Sequence, residues 1–243
     1  MKRLFVILVL LSVPLTAANA LNRGEIREEV RLAINDTGPS DSYRYSDAEL
    51  NRRINIIQRD IAYKTDCMQY RYFIDVTTDT GTYYIDSDDN AFPMKVMRVY
   101  YQDSNGNYYP LTYTTRERLS EELWAYESAS SGRPLEFYLF NYSTTSKSGV
   151  GIGVWPAPDE EKTGALRVDV SALPSDMESD SDIPFNGHDG LYGIHNTIVY
   201  GVVKITDRQV GGAYREIYNN NIAYMKENLK DIPARSGPVR PRR

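Results

Sequence analysis

Cysteine is almost missing from this chain. Cys67 is the only one in 243 residues, which excludes an internal disulfide and any thiolate metal cluster. Histidine is nearly as scarce. His188 and His195 are the only two, so a His-rich metal site is excluded and histidine acid/base chemistry has two candidates at most. Neither lies in a recognisable catalytic motif, and both are expected to be structural or exposed. Phenylalanine (6) and tryptophan (2) are outnumbered by tyrosine (20). Tyrosine suits half-buried sheets and protein interfaces, because its ring packs while its hydroxyl keeps a hydrogen-bond partner. Plain strand propensity accounts for it equally well.

What is present suits one large domain or two small ones: 41% hydrophobic residues, 25% charged, and a net charge of −5. The first residues stand apart. Lys2-Arg3 precedes an apolar run from Leu4 to Leu11, then Pro14 and Ala18-Asn19-Ala20. A basic start, a short apolar stretch and an A-x-A-like site read as a secretory signal peptide. The rival reading is a start of translation at Leu21. No other segment is long and apolar enough to span a bilayer.

Along the chain, the period of the hydrophobic pattern changes twice. Leu21 to Asn35 carries Ile26, Val30, Ala33 and Ile34 at helical spacing, with Arg and Glu on the other face. A second helix starts at Ser46, with Glu49 completing a capping box and Tyr45 with Leu50 a hydrophobic staple. Leu50, Ile54, Ile57 and Ile61 then share one face through Lys64. From Tyr70 the period becomes two. Strands flank Asp79-Thr80-Gly81, and others flank Asn105-Gly106, the strongest short hairpin signal. Thr115 to Tyr126 reads as a brief helix over the sheet. Leu135–Phe140, Val150–Trp155 and Leu166–Val170 bring the total to about seven strands, closed by a Leu173-Pro174 stop. After the acidic hinge Asp180 to Pro184, helical spacing returns. Ile194, Ile198, Val199, Val202 and Ile205 form one stripe. Beyond Gly211-Gly212, Tyr214, Ile217, Tyr218, Asn221, Met225 and Leu229 form another. The boundaries fall at 1–20, 21–66, 67–184, 185–230 and a basic, Pro-rich tail at 231–243.

Motifs that could carry chemistry fail on spacing. Asp79-Thr80-Gly81 spells half an aspartic-protease dyad, but no second triplet occurs, and Asp with Gly fills turns. The Asp103 to Asn107 loop opens like a calcium loop, yet Thr114 stands at the twelfth position and Gly106 at the fourth. The acidic runs Asp86 to Asn90 and Asp176 to Asp182 read as solvated charge, a weak divalent-ion site being the rival. Gly149, Gly151 and Gly153 lack dinucleotide-loop spacing and point to a bulge or a close backbone approach. The expectation is therefore no enzyme, no cofactor and no metal site.

The order of motifs resembles a family. Tyr45-Ser46-Asp47-Ala48-Glu49-Leu50, the Gly132-Arg133-Pro134 strand start, Trp155 with Pro156-Ala157-Pro158-Asp159, and the Asp182-Ile183-Pro184 hinge follow one another as in head-to-tail adaptor (connector) proteins of short-tailed phages. The resemblance runs from Leu21 to Leu229. It implies an α+β fold, a helical bundle from the N- and C-terminal helices with an inserted antiparallel β-sandwich or barrel-like domain. It also implies a virion subunit at the head–tail junction, a homo-oligomeric ring of about twelve copies bridging a portal protein and a tail tube or nozzle. Double-stranded DNA would pass through without sequence-specific binding, and no membrane would be involved. Arg235, Arg240, Arg242 and Arg243, on a tail expected to be extended and mobile in the free subunit, would contact the portal. The rival class is an exported, β-rich binding module for carbohydrate or a surface partner, secreted or periplasmic.

Overall fold

The computed structural model describes residues 20–85, 91–122, 131–143, 148–228 and 235–236. Two helices open the chain, α1 (Arg23–Ala33) and α2 (Asp47–Thr65). Strands β1 (Gln69–Val76), β2 (Thr82–Ile85), β3 (Ala91–Gln102), β4 (Tyr108–Pro110) and β5 (Thr112–Tyr113) follow. A short helix α3 (Arg116–Glu122) precedes β6 (Glu136–Ser143), β7 (Ser148–Trp155) and β8 (Lys162–Pro174). The turn α4 (Pro184–Gly187) leads through a 3-10 segment to α5 (His195–Thr206), α6 (Gly211–Asn228) and the short β9 (Arg235–Ser236). Leu123 to Tyr126 and Leu229 lie outside the described residues.

The full capping box sits at α1. Asn22 Oδ1 accepts from the Glu25 N–H at 2.9 Å, and Glu25 returns the bond to the Asn22 N–H at 2.8 Å. At α2 only half of the expected box forms. Ser46 Oγ accepts from the Glu49 N–H at 3.2 Å, but the Glu49 carboxylate turns to Arg53, one helical turn on. A fully ionised guanidinium outcompetes a lone backbone donor for that carboxylate.

Helices from both ends of the chain draw on one core. Ile26 and Val30 of α1, Leu50, Ile54, Ile57 and Ile61 of α2, Ile198 and Val202 of α5, and Tyr218 and Met225 of α6 are all buried in it. A second core lies between strands and takes residues from both sheets, among them Val76, Ile85, Val99, Phe137, Ile152 and Val168. The five-stranded sheet has the order β4-β3-β8-β1-β9 and the four-stranded sheet β2-β7-β6-β5. The fold is thus mixed α and β, with two sheets.

Four expectations change. Asp79-Thr80-Gly81 does not close a hairpin: β1 pairs with β8, whereas β2 crosses to the other sheet and pairs with β7. The turn only redirects the chain, with Asp79 at φ 61° and its N–H donated to Pro158 O at 2.9 Å. Asn105-Gly106 does close the β3–β4 hairpin, with Gly106 alone at positive φ (86°) while Asp103 Oδ1 accepts from the Asn105 and Asn107 N–H groups. Second, β8 is far longer than Leu166–Val170. It lies between β1 and β3 and buries its polar positions Asp169 and Ser171 as well, so alternation does not mark its ends. Third, the pairing is not wholly antiparallel, since β5 runs parallel to β6 and β9 parallel to β1. Fourth, Arg235 is not free in the single chain, because β9 satisfies backbone groups on the outer edge of β1.

Candidate assembly interface

The fourfold spacing of Arg23, Arg27 and Arg31 places them on one face of α1. The sequence reads that face as solvated; the structure buries it. Arg23 grips Asp180 Oδ1 through Nη2 at 2.8 Å and Nε at 3.2 Å, and donates to Met177 O at 2.6 Å. Arg27 reaches the same carboxylate at 2.8 and 3.0 Å. Arg31, only 1% exposed, pairs with Asp36 at 3.0 Å and Asp47 at 2.5 Å, and lies 3.6 Å from the Tyr43 ring centre. Hydrogen bonds from Arg27 and then Arg23 hold the Asp180 carboxyl down at about 2. The ladder ties α1 to the hinge leaving the sheets.

This accounts for the acidic hinge. Asp180 serves the arginines, Asp176 pairs with Arg59, and Asp182 accepts from the Glu178 and Ser179 N–H groups, each at 2.7 Å. Among the described residues no group of carboxylates, histidines or cysteine is placed to hold a metal ion. The other acidic run, Asp86 to Asn90, lies outside the described residues.

Beyond the hinge the chain does not pass straight into helix. Phe185, Asn186 and Gly187 take consecutive left-handed conformations, at φ 54°, 55° and 67°. Such residues cost about 1–2 kcal/mol each when they carry a Cβ. They persist because their surroundings hold them. The buried Gln58 of α2 accepts from the Phe185 N–H at 3.2 Å, the Ser175 hydroxyl donates to Asn186 Oδ1 at 2.9 Å, and Asn186 donates to the Tyr70 hydroxyl at 3.1 Å. An open polar cleft of about 400 Å³ lies alongside, lined by Ser175, Asp182, Asn186 and Gly187 among others.

The residues singled out for chemistry are dispersed. His195 is buried at the start of α5, where its Nδ1 accepts the Leu21 N–H at 3.1 Å. Burial pushes its pKa down to about 4. His188 is also buried, in the turn after α4. Cys67 is buried at the end of α2, and burial pushes its thiol up to about 11, far from a reactive thiolate. The glycines of β7 do mark close approach: a Cβ at Gly151 or Gly153 would overlap the ring of Phe140 or Tyr138 on β6. Of the tail arginines, Arg235 lies in β9 and Arg240, Arg242 and Arg243 fall outside the described residues.

The surface holds what the sequence reading missed. Ile205 and Ile217, assigned above to buried stripes, are 44% and 43% exposed. Ile56 and Tyr63 are exposed seven residues apart on α2, as are Ile217 and Tyr224 on α6. The signal was available: these helices carry more apolar residues than one core-facing stripe needs. Compared with protein-family models and with curated proteins, the chain matches none.

Proposed function

We propose that this chain is a structural subunit that assembles with copies of itself, a head-to-tail adaptor of a tailed phage. In this reading the terminal helices form a bundle and the β-rich middle is a sandwich inserted into it. The observation that carries it is the arrangement of the helices. Those from both ends of the chain already share a filled core, yet α2 and α6 still present Ile56, Tyr63, Ile217 and Tyr224 to solvent. Apolar residues at heptad spacing on an exposed helix are suited to a further helix-packing seam. The ring would have about twelve copies, join a portal protein to the tail tube and pass DNA unread. A net charge of −5 suits a channel that should not hold DNA. Arg235, Arg240, Arg242 and Arg243 would take carboxylates of the portal. No catalytic role is assigned.

The test is native mass spectrometry and negative-stain imaging of the purified subunit, with and without a portal ring. Rings are expected, and Ile217→Asp with Tyr224→Asp should leave folded monomers. A chain that remains monomeric at every concentration and ignores the portal would overturn the reading. The exported binding module is favoured by one observation, the leader-like Lys2 to Ala20 segment. N-terminal sequencing of natively produced protein separates the two: recovery in the periplasm beginning at Leu21 supports the module, and recovery in particles the adaptor.

A further inference from the structure

The outer face of the five-stranded sheet carries an excess of positive charge. Val99, Val168 and Val170 turn to the core between the sheets, so the alternate positions of β1, β8 and β3 lie on the opposite face. There Asp169 has Arg71 opposite it on β1 and Arg98 opposite it on β3. Arg71 Nε donates to Asp169 Oδ1 at 2.9 Å, and Arg167 donates to both carboxylate oxygens, at 3.2 and 2.8 Å. A single carboxylate thus stands among three guanidinium groups. Arg98 is exposed and has no ion pair among the described residues.

The opposite charge collects at one end of the same sheets. The Gly164 N–H donates to Asp75 at 2.7 Å, the Asp79 N–H to Pro158 O at 2.9 Å, and Lys162 Nζ to Asp103 O. Those bonds draw the β1–β2 turn and the β3–β4 hairpin to the loop between β7 and β8. Asp75, Asp79, Asp103, Asp159, Glu160 and Glu161 gather there, and Arg133 and Lys162 offset part of their charge. Asp159, Glu160 and Glu161 have no ion pair among the described residues.

Within one chain the two patches do not meet. Asp169 stands seven residues along β8 from Lys162, about 23 Å of strand. Exposed charges act over only about 8 Å at physiological salt. We propose that the outer face of β1, β8 and β3 receives the β7–β8 loop of a second copy of this chain, Arg71 and Arg98 taking the carboxylates of Asp159, Glu160 and Glu161. The planar guanidinium fork suits carboxylates held side by side. Each copy carries one patch of either kind, so the contact can pass head-to-tail from copy to copy, as a ring requires. The inference rests on the self-assembly reading and adds to the helical seam a second contact, on the sheets.

The experiment is sedimentation velocity on the full chain over a concentration and salt series, alone and with a portal ring. It compares the wild type, Arg98→Glu, Glu161→Arg and the two changes combined. Both side chains are exposed, so thermal melting followed by circular dichroism should be unchanged. Each single change is expected to weaken self-association at least about tenfold at low salt, and less as salt rises. The combined variant should regain most of the loss, since the reversed charges face each other again. Single variants that assemble as tightly as the wild type, or a combined variant no better than either, would overturn this contact and leave the helical seam standing. Single variants that lose only portal binding would also overturn it, giving the face to the portal. A wild type that stays monomeric at every concentration would overturn the contact and the assembly reading together.

Discussion

Replacing Gly201 with alanine should destabilise the subunit, although the usual effect in a helix is the reverse. Mid-helix Gly→Ala ordinarily gains about 0.8–1 kcal/mol. Gly201 lies within α5, against Ile57 of α2 and Tyr218 of α6. A Cβ there would stand 2.5 Å from Ile57 Cγ2 and 2.8 Å from a Tyr218 ring carbon. Carbon atoms rest about 3.5–4.0 Å apart, so roughly 1 Å of relief is needed. Neither neighbour yields easily. Ile57 is 3% exposed, and Tyr218 is fully buried with its hydroxyl bonded to Asp60 at 2.7 Å. Overpacking of this kind costs about 1–3 kcal/mol. Set against the propensity gain, the net loss should be about 0–2 kcal/mol. Urea unfolding followed by circular dichroism should show a lower midpoint with an unchanged slope. Ile57→Ala alone costs about 2–5 kcal/mol. Combined with Gly201→Ala it should cost less than the two losses added, since the new methyl occupies vacated space. If Gly201→Ala instead raises stability by its propensity gain, the three helices do not meet at this distance.

Ile57→Asp places an unpaired carboxylate in the helix core and should cost about 3 kcal/mol or more, read from the same urea midpoint. The unfolded His195 takes a proton near pH 6.5 and the folded one only near pH 4, so below 6.5 the unfolded chain binds more protons. Stability should therefore fall as pH drops from 6.5 to 4, by on the order of 3 kcal/mol. His195→Gln, which keeps an acceptor for the Leu21 N–H, should flatten that stretch; parallel profiles would refute the burial argument. Cys67→Ala and His188→Ala should change melting temperature but not the mass of any assembly, and loss of assembly in a folded variant would reopen a chemical role.

The helices were legible because each carries its own period, and α2 a start signal as well. Leu50, Ile54, Ile57 and Ile61 announce a buried stripe, and Ser46 marks where its helix begins. Asn105-Gly106 was legible for the same local reason, since one residue had to take positive φ. Asp79-Thr80-Gly81 misled because a turn's residues fix its bend and not the partners of the strands it joins; β2 pairs with β7, which begins more than sixty residues later. The ends of β8 were hidden because a central strand is buried on both faces and loses its alternation. Arg31 illustrates the limit most plainly. Composition places an arginine in solvent, and only the folded chain brings Asp36, Asp47 and the Tyr43 ring around it. The sequence by itself determined which segments coil, which extend and where the chain turns, because those depend on neighbours a few residues away. Tertiary structure decided which sheet each strand joined, which charges were buried and which apolar residues stayed in solvent, because each of those depends on groups distant along the chain.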